Sequence, residues 1–108
     1  MEITKDLMGA SAAPLILSIL RGGESYGYAL IQRVRDLSKG EIEWTDGMLY
    51  PVLHRLEEQA LIESHWKTAE NGRRRKYYTL KAAGRKMLAE QREQWRVVNL
   101  TLAQLWVT

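Results

Sequence analysis

The sequence predicts a mainly α-helical fold with one small β-hairpin and a long C-terminal helix. Three observations predict it. Apolar residues recur at helical spacing in three segments that short glycine-containing joints separate. Two strand-like runs then flank a turn. The final segment, residues 81–107, contains no proline. This order is that of a winged helix-turn-helix domain, residues 1–80, followed by a dimerisation helix, residues 81–108.

Length and composition limit the classes of protein to consider. A chain of 108 residues is enough for one small domain, to which a second chain would add useful burial. The sequence contains no cysteine, which excludes a disulfide framework and thiolate metal sites. The N-terminus lacks the positive lead of a signal peptide, and the longest apolar run is short. We therefore expect a soluble cytoplasmic protein without a membrane segment.

Charge is distributed unevenly along the chain. The formal net charge is only +3, but residues 1–72 hold seven Lys and Arg against eleven Asp and Glu. Residues 73–96 hold nine against two. A cationic segment on a mildly acidic body is typical of a protein that meets phosphates with one surface. An ordinary solvated basic face is the alternative interpretation.

The first helix is predicted from about residue 4 to Arg21, where Gly22-Gly23 ends it. Pro14 either kinks this helix or marks its true start. Its candidate core residues are Leu7, Ile16, Leu17 and Leu20.

The second helix is predicted to begin after Ser25, the candidate N-cap, and to end at Ser38-Lys39-Gly40. An extended piece, residues 41–44, leads to the next helix. The predicted apolar face of the second helix comprises Leu30, Ile31, Val34 and Leu37.

The third helix, residues 45–59, is the predicted recognition helix, and Thr45 can cap it. This helix has no acidic residue between Gly47 and Leu56, which suits insertion into a groove of DNA. The core stripe comprises Leu49, Val52, Leu53 and Leu56. The outer side presents Gly47, Pro51, His54 and Glu58, flanked by Tyr50 and Arg55.

A β-hairpin is predicted from residues 61–66 and 76–80, with turn chemistry at residues 70–73. The wing, residues 70–77, carries four consecutive cations, which we expect to serve phosphates or the minor groove. Strand alternation requires some of them to point away. They are Arg73, Arg74, Arg75 and Lys76.

The last segment is predicted to be a helix of roughly 40 Å at ~1.5 Å per residue, too long for so small a domain to cover. It needs another surface, and a second copy of the chain is the simplest one. The predicted dimer interface comprises Leu7, Met87, Trp95, Val98, Leu102, Leu105 and Trp106.

Five short motifs now suggest a family. They are Tyr26-Gly27-Tyr28, the run from Gly47 to Glu57, Leu61-Ile62, the run from Arg74 to Leu80, and Gly84. In this order and at these separations they resemble the PadR family over nearly the whole chain. Ala60 stands where the family usually has glycine, and Lys81 where it usually has threonine. Because alanine disfavours positive φ, Ala60 argues against a tight left-handed turn at that position.

The resemblance implies a bacterial transcriptional repressor that binds an operator as a homodimer and is released by a small effector. The single C-terminal helix resembles the short subgroup with multidrug-sensing members, in which tryptophans sandwich flat aromatic drugs at the dimer centre. Trp95 matches that tryptophan. Pro14 also falls on a position that lines the ligand cavity in this subgroup, where proline is unusual. The other matching lining residues are Ser18, Leu88 and Asn99. From the residues alone, Trp95 could equally fill the dimer core.

DNA contacts can be assigned by chemistry. We expect base-edge or near-base contacts from His54, Arg55 and the Asp46-Gly47-Met48 run. Tyr50 can offer its hydroxyl to a phosphate, as can Ser25 and Tyr26 near the start of the second helix. Packing of the tyrosine rings between helices is the alternative.

Other classes of protein are less well supported. No nucleophile motif or phosphate-binding glycine loop appears, which argues against an enzyme, and no cofactor is predicted. His54, His65, Glu57 and Glu63 lack zinc-ligand spacing. A winged-helix adaptor for other proteins is the serious alternative, but it would not need four adjacent cations in its wing.

Overall fold

The computed structural model describes residues 1–107, so that the last residue of the predicted 81–108 segment lies outside the described part. The predicted fold class is confirmed. No helix within residues 1–107 has the length and apolarity to cross a membrane. The elements are α1 (Lys5–Arg21), β1 (Ser25–Tyr26), α2 (Gly27–Leu37), α3 (Asp46–Glu58), β2 (Ile62–Thr68), β3 (Arg74–Leu80) and α4 (Ala82–Leu105).

Helix α1 begins after Thr4, which caps it. The Thr4 hydroxyl accepts the Leu7 backbone N–H at 3.3 Å, and the helix passes through Pro14 without ending. Pro14 therefore does not mark its start. Ile16, Leu17 and Leu20 are buried as predicted, whereas Leu7 is exposed. In the first turn of α1, Met8 and not Leu7 packs against the core cluster, so Leu7 is not a core residue of the single chain, and its assignment to the dimer interface stays a prediction.

The start of α2 differs from the prediction. Ser25 is not the N-cap, because Ser25 and Tyr26 form a short strand that pairs with Tyr78 and Tyr77 of β3. Tyr26 occupies the capping position without a side-chain hydrogen bond. A two-residue strand leaves no periodic signal in the sequence, so the third strand of the sheet was missed. At the other end of α2, Leu37 is exposed and does not belong to the apolar face.

Helix α3 is capped by Thr45, whose hydroxyl accepts the Met48 N–H at 3.2 Å. Its four predicted stripe residues are all buried. Beyond the helix, Ala60 adopts a left-handed φ of 59°. Its N–H bonds to the Glu57 carbonyl at 2.9 Å, and the Leu61 N–H bonds to the Leu56 carbonyl at 3.0 Å. This is a Schellman ending with alanine at the usual glycine position, so the expectation against a left-handed turn was wrong.

The three strands form an antiparallel sheet in the order β1-β3-β2. The hairpin is longer than predicted, because β3 begins at Arg74 and places three of the four wing cations in the strand and not in the turn. Tyr78 of β3 is fully buried among residues of α1, α2 and α3 that make up one core cluster. Only Gly84 and Leu88 of α4 are buried, so its later part projects beyond the core.

Candidate nucleic-acid interface

A surface depression of about 620 Å³ lies where the start of α2, the side of α3 and the wing hairpin meet. We call it the wing depression. It brings together six residues that the sequence analysis assigned to DNA and three that it did not. The lining residues are Tyr26, Gly27, Tyr28, Tyr50, Trp66, Arg73, Arg74, Arg75 and Lys76.

The remaining predicted DNA residues lie outside this depression. His54 and Arg55 are exposed further along α3. Asp46 and Gly47 are exposed in its first turn, whereas Met48 is half-buried against the core. Ser25 is half-buried in β1. The candidate surface therefore consists of the outer side of α3 and the wing depression beside it.

The wing cations alternate between the two faces of the sheet. Arg74 and Lys76 share a face with buried Tyr78, while Arg75 shares the other face with Tyr77. This alternation follows the pattern expected for a strand. Arg73 lies in the turn, where its N–H bonds to the Asn71 side-chain oxygen at 3.0 Å.

Lys76 is partly neutralised by a carboxylate of α3. Its Nζ lies 3.7 Å from Glu57 Oε1, and Glu57 Oε2 accepts the Ser64 hydroxyl at 2.7 Å. Glu57 thus contacts both strands of the hairpin from α3. Of the four cations, Arg73, Arg74 and Arg75 have no carboxylate within salt-bridge distance among the described residues. These three provide the net positive charge of the wing.

Aromatic rings hold the wing arginines. The Arg75 guanidinium lies 4.5 Å from the centre of the Tyr26 ring, and that of Arg74 lies 5.6 Å from the centre of the Trp66 ring. Tyr26 also packs edge-on against Tyr77, with ring centres 5.4 Å apart. Both interpretations of Tyr26 therefore have a structural basis, since its ring packs against Tyr77 and also lines the depression.

Tyr50 reaches from α3 across to the start of α2. A side chain on Gly27 would collide with the Tyr50 hydroxyl, so glycine permits this approach. Tyr50 remains 40% exposed and can still present its hydroxyl to a ligand. Burial, together with Glu57 and Tyr50, raises the pKa of Tyr78 to about 12. The Tyr78 phenol is therefore neutral near pH 7 and adds no negative charge beneath the cations.

On the face that carries Arg75 and Tyr77, a carboxylate offsets one cation, Lys67. Glu24 accepts a hydrogen bond from Lys67 and lies 3.0 Å from His65 Nε2. The hydrogen bond from Lys67 is the main cause of a lowered pKa for Glu24, which stays ionised and offsets the lysine. No three potential metal ligands converge within residues 1–107. His65, the rejected zinc candidate, is a hydrogen-bond partner of Glu24 on this face.

Sequence reasoning did not assign Gly27, Tyr28 or Trp66 to the site. Trp66 pairs with Lys76 across the hairpin, so strand alternation applied to both strands could have placed it beside the cations. Gly27 and Tyr28 belong to the Tyr26-Gly27-Tyr28 motif, but only the tertiary contact between α2 and α3 brings them to the depression.

The residues predicted to bind an effector differ in burial in the single chain. Leu88 is buried in the core at 3% exposure, so it has almost no surface to offer a ligand. Ser18 is exposed near the end of α1, where its hydroxyl donates to the Pro14 carbonyl at 2.6 Å. Trp95 is half-buried beside a shallow depression of about 130 Å³ with Gln94 and Val98. Asn99 is exposed one turn further along α4.

The residues predicted for the dimer interface are mostly uncovered in the single chain. Leu7, Val98, Leu105 and Trp106 are exposed, with Trp106 at 71%. Met87 packs against the edge of the core, while Trp95 and Leu102 are half-buried. From Trp95 onward these side chains form an apolar stripe along α4 that the chain's own core does not cover.

Comparison with known proteins places these features in a family context. The family model for transcriptional regulator PadR-like proteins matches residues 16–90. The transcriptional regulator YqjI of Escherichia coli (strain K12) is 36% identical over 85 residues, which cover 79% of this chain and 39% of that protein. The chain therefore spans well under half the length of this relative.

Solved structures agree over nearly the whole chain. A PadR family transcriptional regulator from Eggerthella lenta DSM 2243 is 34% identical with a TM-score of 0.80, covering 95% of this chain and 88% of that one. A PadR-like transcriptional regulator from Bacillus cereus strain ATCC 14579 is 28% identical with a TM-score of 0.85, covering 96% and 99%. The similarity includes α4 as well as the winged helix.

Proposed function

The chain belongs to the PadR-like family of transcriptional regulators, and we propose that it represses transcription by binding operator DNA as a homodimer. In this proposal residues 1–80 bind DNA and the segment from residue 81 onward holds the two copies together. The protein is a bacterial regulator and not an enzyme, and a small aromatic effector at the dimer interface releases it from DNA.

One observation carries the DNA-binding part of the proposal. The wing depression holds three arginines that have no carboxylate partner within residues 1–107, and Glu57 of α3 contacts both strands of the hairpin that carries them. Cations beside a helix that fits the major groove can contact phosphates, while the exposed His54 and Arg55 of that helix can contact base edges. This division predicts two different kinds of mutant.

Arg74→Ala is expected to weaken binding to every DNA sequence about tenfold, the size of one charge-assisted contact. It should also reduce the slope of log affinity against log salt concentration by about 1. His54→Ala should instead change the preference among operator variants, by about 1 kcal/mol at the affected base pair. The measurement is fluorescence anisotropy with a duplex selected from random sequences and a panel of its single mismatches.

Arg92→Ala is the matched control for Arg74→Ala, because it removes the same charge from an exposed position on α4. It should leave the affinity and the salt slope nearly unchanged. Equal losses for Arg92→Ala and Arg74→Ala would reject the wing depression as the phosphate site. A uniform loss for His54→Ala across the mismatch panel would reject its role in reading bases. Salt-independent capture of a protein partner would favour the adaptor alternative.

The effector part of the proposal depends on Trp95. Its indole lies on the uncovered stripe of α4, and two copies facing each other could hold a flat ring between them. We expect planar aromatic compounds to quench tryptophan fluorescence saturably in the wild type, and Trp95→Ala to remove this quenching. Trp66→Ala is the control, since it removes an exposed indole from the hairpin, outside the proposed effector site. Quenching that persists in Trp95→Ala would contradict the assignment.

A further inference from the structure

Trp66 occupies an unusual place for a large aromatic side chain. It is 58% exposed on β2, an edge strand of the sheet, and it lines the wing depression together with Tyr28 and Tyr50. It pairs directly with Lys76 across the hairpin, so Arg74 is its diagonal neighbour on the same face. The ring is therefore both open to a ligand and within reach of a cation.

Arg74 is the cation that this ring supports. Its guanidinium lies 5.6 Å from the ring centre, and it has no carboxylate partner among the described residues. A guanidinium is weakly hydrated and stacks readily on an indole, but a free arginine side chain has many rotamers. A ring that limits those rotamers lowers the entropic cost of placing the charge on a phosphate.

We propose that Trp66 is a positioning residue for DNA binding, which holds the Arg74 guanidinium in the wing depression so that it meets a backbone phosphate. The inference rests on the proposed function, since it concerns the same DNA surface. The occupant of the depression is the sugar-phosphate backbone of duplex DNA, because the three lining arginines have no carboxylate partner in the described part of the chain and the uncharged lining residues are aromatic or glycine. This contact recognises the DNA backbone and does not depend on the base sequence.

A double-mutant cycle tests this role. The probe is a fluorescein-labelled random-sequence duplex of about 30 base pairs at low salt, because phosphate contacts need no operator. We expect Trp66→Ala to weaken binding about three- to fivefold, the size of an exposed cation–π contact. Arg74→Ala should weaken it more. In the Arg74→Ala background, Trp66→Ala should cause no further loss, since the ring then has no cation to hold.

Two replacements at the same position separate an aromatic platform from simple apolar bulk. Trp66→Phe keeps a ring and should retain most of the affinity, whereas Trp66→Leu keeps apolar volume without a π face and should behave like Trp66→Ala. Because Trp66 is largely exposed, thermal unfolding of all these variants should match the wild type. Equal affinity for the Phe and Leu variants would overturn the platform role.

The outcomes distinguish the inference from the proposed function. If Arg74→Ala weakens binding and Trp66→Ala does not, the positioning role is wrong while the DNA surface stands. If the two losses multiply in the double variant, Trp66 acts independently of Arg74 and the inference is overturned. If the wild type does not bind the duplex at all, the proposed function itself fails, and the inference with it.

Discussion

Gly84→Ala is expected to destabilise the fold by about 2–3 kcal/mol, although alanine is the better helix former. A Cβ at this position would collide with the Leu61 backbone carbonyl oxygen and would lie 2.6 Å from Leu80 Cδ1. The Leu61 oxygen also accepts the Lys81 N–H at 3.0 Å, so backbone and helix would have to move together. Overpacking typically costs about 1–3 kcal/mol and occasionally more; because this clash is with backbone, we expect a cost of about 3–4 kcal/mol, from which a propensity gain of about 1 kcal/mol is subtracted.

Chemical denaturation measures this prediction through the free energy of unfolding, and thermal unfolding should show a midpoint lower by roughly 10–20 °C. Gly9→Ala is the matched control, because it makes the same change inside α1 at a site where a Cβ meets nothing within 4 Å. That variant should be unchanged or slightly more stable. Equal stability of Gly84→Ala and the wild type would mean that α4 does not pack on the hairpin as closely as described.

Ala60→Gly provides the reverse test at the residue before Leu61, whose carbonyl Gly84 approaches. Ala60 holds a left-handed φ of 59°, a conformation that costs a residue with a Cβ about 1–2 kcal/mol and glycine little. Replacing it with glycine should therefore stabilise the protein by about 1 kcal/mol after the entropy cost of glycine is subtracted. A loss at position 84 and a gain at position 60 together would show that conformation and space, and not helix propensity, determine both effects.

The sequence predicted those elements that leave a local signal. The core stripe of α3 and the Thr45 cap follow from spacing and side-chain chemistry, and the structure confirms both. Strand β1 escaped prediction because two residues carry no period, and its pairing partner lies about fifty residues away in the chain. At Ala60, the two capping hydrogen bonds at the end of α3 hold a conformation that alanine disfavours by itself.

The candidate site was predicted in its residue types but not in its arrangement. A run of four cations is visible in any sequence, but its division between two sheet faces depends on where β3 begins. The neutralisation of Lys76 by Glu57 joins β3 to α3 and has no sequence signature. Likewise, Leu88 matched a ligand-lining position by resemblance, yet it is buried in the core of its own chain. Contacts between distant segments determine which charged or apolar residues remain available.

Leu102→Asp is expected to separate the proposed dimer into monomers. Leu102 continues the uncovered stripe of α4 that includes Val98 and Leu105, and a two-fold interface places each substitution twice. Burying an unpaired carboxylate costs at least about 2 kcal/mol per copy, so the dissociation constant should rise about a thousandfold or more. Sedimentation equilibrium of the wild type and the variant measures the change. Operator affinity should fall as well, because one wing then binds without the other.

Leu100→Asp is the matched control, which separates loss of the interface from a general loss of helix stability. Leu100 is also on α4 and is 51% exposed, but at about 100° per residue it lies on the side of the helix opposite the stripe. Both substitutions replace leucine with aspartate on α4, so their effects on helix propensity and net charge cancel in the comparison. We expect Leu100→Asp to remain dimeric. Dissociation of both variants would indicate a general loss of helix stability, and a dimeric Leu102→Asp would exclude this stripe as the interface. Monomeric Leu102→Asp beside dimeric Leu100→Asp would assign the dimer contact to one face of α4, the face that carries Trp95.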